Sequence, residues 1–433
     1  MKLATAYFTI CARNYLAFAA TLAESLRAKE PDASFFVFLA DDTEGTEAFP
    51  ETIIPMSALD LPEIGSMQFR YTLLEFATAI KPACLLHLLQ SRNFTHAVYL
   101  DPDIQVFAPF DAVREAFAAG ASCVLTPHLL QPLQDTASPS DLDILASGTF
   151  NLGFCAFDAS IESLSYLSWW QDRLIDQGYN ALEQGLFVDQ KWMDFAPSFL
   201  SRLHILRDPG YNVAYWNLAH RPVKQAENGT WMAGEAKLIF FHFSGVVPGN
   251  SAVISKHQDR FTAENAGAAS RLVAEYLARI SENGQNHWSG IPYAYGKFLD
   301  GSPIAPVMRR GPDAGAQGFA QSDTSWWHAP SERADQAPGV IITRFMLALH
   351  ESRPDLRAAF PLSSGQGRAA FHAWFLTHGY TESGGGEAAL EGALGRSLRA
   401  GAAPPPKVPA WLSRLLPSAL RTRLKSAFVR MFR

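Results

Sequence analysis

The feature that most constrains this chain is an alternation running from residue 2 to residue 243, in which short apolar runs take turns with stretches of helical periodicity. Residues 2–11 are rich in Thr, Tyr, Phe and Ile, the composition of a buried strand. Residues 15–29 then place Leu16, Ala19, Leu22, Ala23 and Leu26 at helical spacing. A second strand over 35–39 runs straight into Asp41-Asp42, and Ile53-Ile54 reads as a short third. Residues 71–89 are mostly helical, with Pro82 marking a break or a new helix start. Strands follow at 97–100, 121–125 and 150–157, then a helix through Trp169-Trp170, and a last strand over 237–243. Strand and helix in this order predict an α/β fold with a mainly parallel sheet. In such sheets ligands bind at the carboxyl ends of strands, near a switch in strand order.

Beyond about residue 250 the texture changes. Gly and Pro are dense over 284–318 and 384–406, and the segment between carries helical apolar patterning at Ile341, Phe345, Leu349, Phe371, Trp374 and Phe375. This predicts a first domain over 1–255, a helical accessory region over 256–400, and a Pro-rich linker with a basic C-terminal helix over 401–433. Hydrophobic content of 48% with 18% charge belongs to a packed globular protein. The net charge of −6 hides an asymmetry, because seven Lys/Arg and no Asp/Glu lie from Lys407 onward, leaving 29 basic against 42 acidic residues ahead of them. An acidic body argues against nucleic-acid binding. In the tail, Leu420, Leu424, Ala427, Phe428 and Met431 share a helical face that Arg421, Arg423, Lys425, Arg430 and Arg433 avoid. Such a segment suits an anionic membrane surface, lying flat; a solvated or docked helix is the other reading. Cys11, Cys84, Cys123 and Cys155 are scattered in apolar runs without a CxxC, which points to reduced, buried thiols. Arg13 interrupts the apolar N-terminus, so it reads as a strand and not as a signal segment. The expected location is cytoplasmic, peripheral to the inner face of the cell membrane.

Four polar motifs fall at strand ends. Asp101-Pro102-Asp103 follows a buried strand, and two carboxylates two residues apart can reach one side of a turn, where hard oxygens suit Mg²⁺ or Mn²⁺. Asp141-Leu142-Asp143 repeats the spacing but follows Ser138-Pro139-Ser140 and reads as a helix start. His242 ends an apolar strand and precedes Ser244-Gly245; it is either the third ligand of a cation or a hydrogen-bonded core histidine. Asn151-Leu152-Gly153 and Asp189-Gln190 put polar side chains into apolar stretches. Asp42 ends the second strand, placed either for a uracil or ribose hydrogen bond or for a turn cap.

Taken together in this order, the motifs resemble those of the GT-A-fold retaining glycosyltransferases, the family 8-like group of glycogenin and the bacterial lipooligosaccharide galactosyltransferases. The resemblance rests on Asp101/Asp103, Asn151/Gly153, Asp189/Gln190 and His242/Gly245, with Asn14-Tyr15 and Arg70-Tyr71 upstream, and it covers about residues 1–250. It implies a GT-A, Rossmann-like nucleotide-diphospho-sugar transferase fold. It also implies a UDP-sugar donor, a Mn²⁺ or Mg²⁺ ion on Asp101, Asp103 and His242, nucleotide contacts from Asn14 and Tyr15, and a donor contact from Arg70. Asp189 would hold sugar hydroxyls, Gln190 would sit at the reacting face, and Asn151 would stand beside them, with retention of anomeric configuration. The acceptor would be a glycan or a lipid-linked saccharide in surface polysaccharide biosynthesis. The group's diphosphate-binding Lys soon after the His-x-x-Gly is missing, since the chain continues Val246-Val247-Pro248-Gly249-Asn250 and Lys256 comes six residues beyond the expected region. Lys81 is the other cation available for that role. The helical insert between Arg70 and Asp101 is also longer, which marks a divergent branch.

Two other classes compete. A nucleotidyltransferase also pairs aspartates on an α/β sheet, but it would ordinarily carry a Gly-rich phosphate loop early, and residues 9–15 contain no glycine. A catalytically silent membrane-peripheral scaffold would not need the Asp101/Asp103/His242 set.

Overall fold

A computed structural model describes residues 3–310 and 324–395. The first compact unit takes the described residues up to Met67 together with Tyr71–Ala294; the second takes Gln68–Arg70 and the described residues from Tyr295 on. The basic C-terminal segment and the linker before it lie outside the described residues.

The first unit opens with β1 (Leu3–Cys11), α1 (Leu16–Arg27), β2 (Ser34–Leu39) and β3 (Thr52–Pro55). Helices α2 (Ile64–Arg70), α3 (Leu73–Ala79) and α4 (Lys81–Leu86) follow, then β4 (Phe94–Leu100) and β5 (Ile104–Val106). Next come α5 (Asp111–Ala118), β6 (Cys123–Pro127), α6 (Asp141–Ser147), β7 (Phe150–Asp158) and α7 (Ile161–Leu174). Seven strands make the central sheet in the order β10-β6-β7-β4-β1-β2-β3, with β10 at Leu203–Ile205 after the short helix α8 (Ala196–Phe199). A small hairpin of β8 (Asn180–Ala181) and β9 (Leu186–Phe187) lies outside it. All neighbours in the sheet are parallel except β7, which runs against both β4 and β6. This is the mainly parallel α/β architecture that the strand–helix alternation predicts.

Side chains alternate across the sheet because successive Cβ atoms point to opposite faces. Phe8, Phe36, Phe38, Ala97, Tyr99, Cys155 and Phe157 face one core, which α3, α4 and α7 cover with Phe76, Leu85, Trp170 and Leu174. Tyr7, Val37, Leu39, Val98, Leu100, Phe154 and Ala156 face the other, covered by Leu16, Leu22 and Leu26 of α1 and Val113 of α5. Burial on both faces explains why these strands are apolar throughout. Pro82 starts α4 after α3 ends, within the one stretch among the described residues, Leu73–Ser91, that is long and apolar enough to cross a membrane. Phe76, Leu85 and Leu88 of that stretch are wholly buried in the first core. All four cysteines are free and buried.

The last strand differs from its expectation. Residues 237–243 split, and β14 (Phe240–His242) leaves the central sheet to pair antiparallel with β5. Before it, β11 (Val223–Gln225), β12 (Trp231–Ala233) and β13 (Ala236–Lys237) form a separate meander. The boundary between the units falls after Ala294, not after residue 255. The reason is helix α9 (Ala268–Glu282), whose Ala269, Leu272, Val273, Tyr276 and Ile280 pack with Ala17, Phe18, Phe241 and Phe243. Helical apolar spacing outweighs the change in Gly and Pro density there. The second unit is helical, with Phe345, Met346, Phe371, Trp374, Phe375 and Leu390 in its own core. Thr343 and Ser364 cap its helices at Met346 and Gly367.

Candidate functional site

Strand order reverses between β1 and β4, and their carboxyl ends carry Asn14 and Asp101. Asp101 and Asp103 stand on the turn that joins β4 to β5, which closes with Ile104 N–H donating to the Asp101 carbonyl at 3.1 Å. Pairing of β14 with β5 sets His242 opposite Ile104, and Phe243 N–H donates to the Asp103 carbonyl at 2.8 Å. Backbone register therefore carries the imidazole to the acidic turn. His242 Nε2 lies 3.0 Å from Asp103 Oδ1 and 3.4 Å from Asp101 Oδ2. One donor atom from each residue lies within 4.8 Å of the others, the one such group of three among the described residues.

Gly153 makes room for the ring. A Cβ there would come within 2.3 Å of His242 Cε1 and 2.6 Å of Nδ1. Trp216 meets the imidazole edge-on, with ring centroids 5.2 Å apart. Burial would lower the basicity of His242, but Asp103 and Asp101 outweigh it and raise it. Burial raises the Asp101 carboxyl, with His242 and Lys81 pulling the other way. The Tyr99 hydroxyl donates to Asp101 Oδ1.

Lys81 is not open to a ligand. Its side chain is 2% exposed, and the ammonium pairs with Asp189 Oδ2 at 2.6 Å and donates to the Leu152 carbonyl at 2.8 Å. It also sits 4.1 Å from the centre of the Tyr99 ring. The expectation that Lys81 meets a diphosphate gives way to an internal ion pair, because β7 and the Asp189 turn close over it. The same contact changes the reading of Asp189, whose carboxylate has Lys81 as its first partner. Burial pushes the Asp189 carboxyl up to about 6, and Lys81 restrains that rise. Three carboxylates (Asp101, Asp103, Asp189) face a single ammonium in this cluster, so with a neutral imidazole two negative charges remain. Two hard oxygens, an imidazole nitrogen and that uncompensated charge fit a divalent cation.

Gln190 and Asn151 belong to one buried amide network. Gln190 Oε1 accepts from Leu152 N–H at 3.0 Å, and its Nε2 donates to the Ser147 carbonyl at 2.9 Å. Asn151 Oδ1 accepts from Gly153 N–H at 3.1 Å and from Asn212 Nδ2 at 3.0 Å. At the end of β1, Asn14 Oδ1 is buried without a hydrogen-bond partner among the described residues. Tyr15 is 41% exposed, stacks on Phe18 and feels the charge of Asp103. Gly245 sits at φ +78°, where a Cβ would lie 2.4 Å from Ser255 Oγ.

One expected contact does not form as read. Asp42 is exposed, and its Oδ1 caps Glu44 N–H at 2.7 Å, so the turn-cap reading holds. Its neighbour Asp41 is the buried one, accepting from Arg13 Nε and from the backbone of Arg13, Asp42 and Ala294. Arg70 ends α2 and groups with the second unit, while Tyr71 is buried in the first and donates to the Leu174 carbonyl. The second Asp-x-Asp is a helix start as expected, with Ser140 and Asp143 forming a capping box on α6.

Sequence reasoning missed Asn212, Asn217, Tyr215, Trp216 and His128. Asn217 Nδ2 donates to the carbonyls of His128 and Asn212, and burial holds the His128 imidazole down to about 4. Burial, then Asp103, raises the Tyr215 phenol to about 12. The available signal was two asparagines within the aromatic stretch 211–217, since amides in such company must find partners. Lys256 was placed too far away by counting. The ten residues 246–255 loop out, and Lys256 N–H donates to the Gly245 carbonyl at 2.9 Å.

No protein-family model matches the chain. Two proteins of Bacillus subtilis (strain 168) are similar in sequence. The uncharacterized protein YfnF is 24% identical over 253 residues, 56% of this chain and 81% of its own. The uncharacterized protein YfnD is 27% identical over 199 residues, 45% of this chain and 61% of its own. Among solved structures, the galactosyltransferase LgtC, in complex with donor and acceptor sugar analogs, aligns over 63% of this chain and 95% of its own, at 14% identity and a TM-score of 0.39. The bifunctional glycosyltransferase WbbM aligns over 65% of this chain and 52% of its own, at 14% identity and a TM-score of 0.40. The glycosyltransferase GlyE of Streptococcus pneumoniae TIGR4 aligns over 68% and 67%, at 12% identity and a TM-score of 0.37.

Proposed function

We propose that this chain is a metal-dependent glycosyltransferase that moves a sugar from a nucleotide-diphospho-sugar, a UDP-sugar, to a glycan or lipid-linked acceptor with retention. One observation carries the reading: His242 Nε2 stands 3.0 Å from Asp103 and 3.4 Å from Asp101 at the carboxyl edge of a mainly parallel sheet. Asp101, Asp103 and His242 would hold Mn²⁺ or Mg²⁺. When bound, the ion supplies positive charge against the diphosphate that departs as the sugar–oxygen bond breaks. The chain's own residues do the rest. Asn14 offers an unpaired acceptor to the nucleoside, and Tyr15 an exposed ring beside it. Lys256, held beside Gly245, replaces Lys81 as the cation for the phosphates. Asp189 and Gln190, anchored by Lys81 and by the Leu152 amide, keep a polar wall on the reacting side. An amide is a poor nucleophile, which favours front-side attack over a covalent intermediate. The basic tail from Lys407 would hold the enzyme against an anionic inner membrane surface and so near a lipid-linked acceptor.

The test is a screen of UDP- and GDP-sugars for metal-dependent hydrolysis, with Asp103→Ala as control. Turnover of one UDP-sugar that EDTA and Asp103→Ala both abolish supports the reading. Metal-independent turnover, or none with any donor, removes it.

A further inference from the structure

We infer that Asn212 is a positioning residue that fixes which nitrogen of His242 meets the cation; this rests on the metal reading above for its consequence, though not for its geometry. The argument starts from two groups whose hydrogen-bonding sense is certain, the backbone N–H groups of Leu152 and Gly153. Gly153 N–H donates to one side-chain atom of Asn151, which must therefore be the oxygen. Leu152 N–H fixes the oxygen of Gln190 in the same way, and that oxygen faces Asn151 Nδ2 at 3.5 Å. With the Asn151 oxygen assigned, the amide of Asn212 3.0 Å away must present its NH₂ there, and the same Nδ2 donates to Thr126 Oγ1 at 2.9 Å. The Asn212 oxygen is thereby turned to the imidazole, 3.4 Å from His242 Nδ1. An oxygen accepts only, so Nδ1 carries a proton; Nε2 faces two carboxylates and holds a second proton without a cation, and a cation that displaces that second proton leaves Nδ1–H with a bare Nε2. That is the tautomer a metal ligand needs, and a second partner on the far nitrogen commonly sets it.

Asn212 is itself built for this place. It is fully buried at φ +52°, a left-handed conformation that asparagine tolerates better than most residues. Asn217 holds that turn through Nδ2 to the Asn212 carbonyl at 2.9 Å and through Oδ1 from Ala214 N–H at 3.0 Å. His242 N–H donates to the Val213 carbonyl at 2.8 Å, so the turn and β14 move as one piece.

The experiment compares the full chain with Asn212→Gly, which keeps the left-handed backbone accessible, and with Thr126→Val, which cuts the network on its far side. Two readouts are taken: Mn²⁺ affinity by electron paramagnetic resonance, and the proton on His242 Nδ1 in metal-free protein by ¹H–¹⁵N correlation of ¹⁵N-histidine. We expect Asn212→Gly to weaken Mn²⁺ binding by about 10-fold or more and to lose the exchange-protected Nδ1–H signal, and Thr126→Val to keep both. An Asn212→Gly protein with the wild-type Nδ1–H signal, or with wild-type Mn²⁺ affinity, overturns the inference; equal loss in Thr126→Val assigns the effect to stability and overturns it too. If wild-type protein binds no Mn²⁺, the metal reading fails, while the Nδ1–H signal still decides the role of Asn212.

Discussion

A methyl group at Gly153 would collide with the ring it supports. Its Cβ would lie 2.3 Å from His242 Cε1 and 2.9 Å from Asn151 Oδ1, and neither neighbour is the free end of a flexible chain. Gly153→Ala should cost about 1–3 kcal/mol, the usual range for overpacking. It should also abolish the Mn²⁺ response; denaturation in EDTA and a Mn²⁺ titration measure the two effects separately. Lys81→Met should cost more, about 3–5 kcal/mol, because it strands the Asp189 carboxylate in the core. The double variant Lys81→Met/Asp189→Leu should recover most of that loss in urea melts. The sign of the pH dependence follows from the raised Asp189 carboxyl. Its folded value, about 6, stands above the ordinary carboxylate value, so the folded state holds this proton more tightly. The resulting stabilisation is complete below the ordinary value and is lost as pH rises through the folded one. The stability of wild-type protein should therefore fall from about pH 4 to about pH 6 relative to Asp189→Asn; parallel profiles for the two proteins would refute the shift.

Among the elements, β14 matters more than its three residues suggest. It leaves the main sheet to pair with β5, and that detour delivers His242 to the acidic turn. Its anchor is Phe240, fully buried with ring centroids 5.7 Å from Phe110, 5.5 Å from Phe154 and 5.8 Å from Tyr211. Phe240→Ala should cost about 3–5 kcal/mol and also weaken Mn²⁺ binding. Phe38→Ala, near the carboxyl end of β2 and equally buried, should cost as much but leave the Mn²⁺ affinity of the folded protein unchanged. Calorimetry with a parallel metal titration separates the two; a matching loss of affinity in Phe38→Ala would show that β14 has no special part. The sequence reading found this strand by its apolar run but put it in the central sheet, since nothing local says which partner a strand will choose.

For the whole chain, metal and nucleotide act as folding ligands. Mn²⁺ with UDP at about 100 times the dissociation constant should add about 2.7 kcal/mol to stability, and EDTA should remove it. Thermal melts check this, with Mn²⁺ plus ATP and UDP alone as the arms that should move the transition little. Equal shifts with UDP and ATP would leave a general nucleotide site in place of a UDP-specific one. The cation reading also has a global electrostatic reason: an acidic cluster that keeps two uncompensated charges when the imidazole is neutral, at the edge of a low-dielectric core, is relieved by a divalent ion.

Strand and helix order, the two-sided cover of the sheet, the acidic turn after β4 and the existence of a second helical unit were all legible in the chain. Each is written in local periodicity and in residue types at strand ends, which depend on neighbours a few positions away. The pairing of Lys81 with Asp189, the exposure of Asp42, the return of Lys256 to Gly245, the inclusion of α9 in the first unit and the amide chain from Leu152 to His242 were not. Most of these join residues far apart in the chain, such as Gly245 with Lys256 at 11 positions and Lys81 with Asp189 at 108, and an isolated side chain carries no mark of the partner that will share its burial. Hydrophobic pattern chose the scaffold, while the need to satisfy every buried charge and amide within it decided which of the candidate residues face a ligand and which face one another.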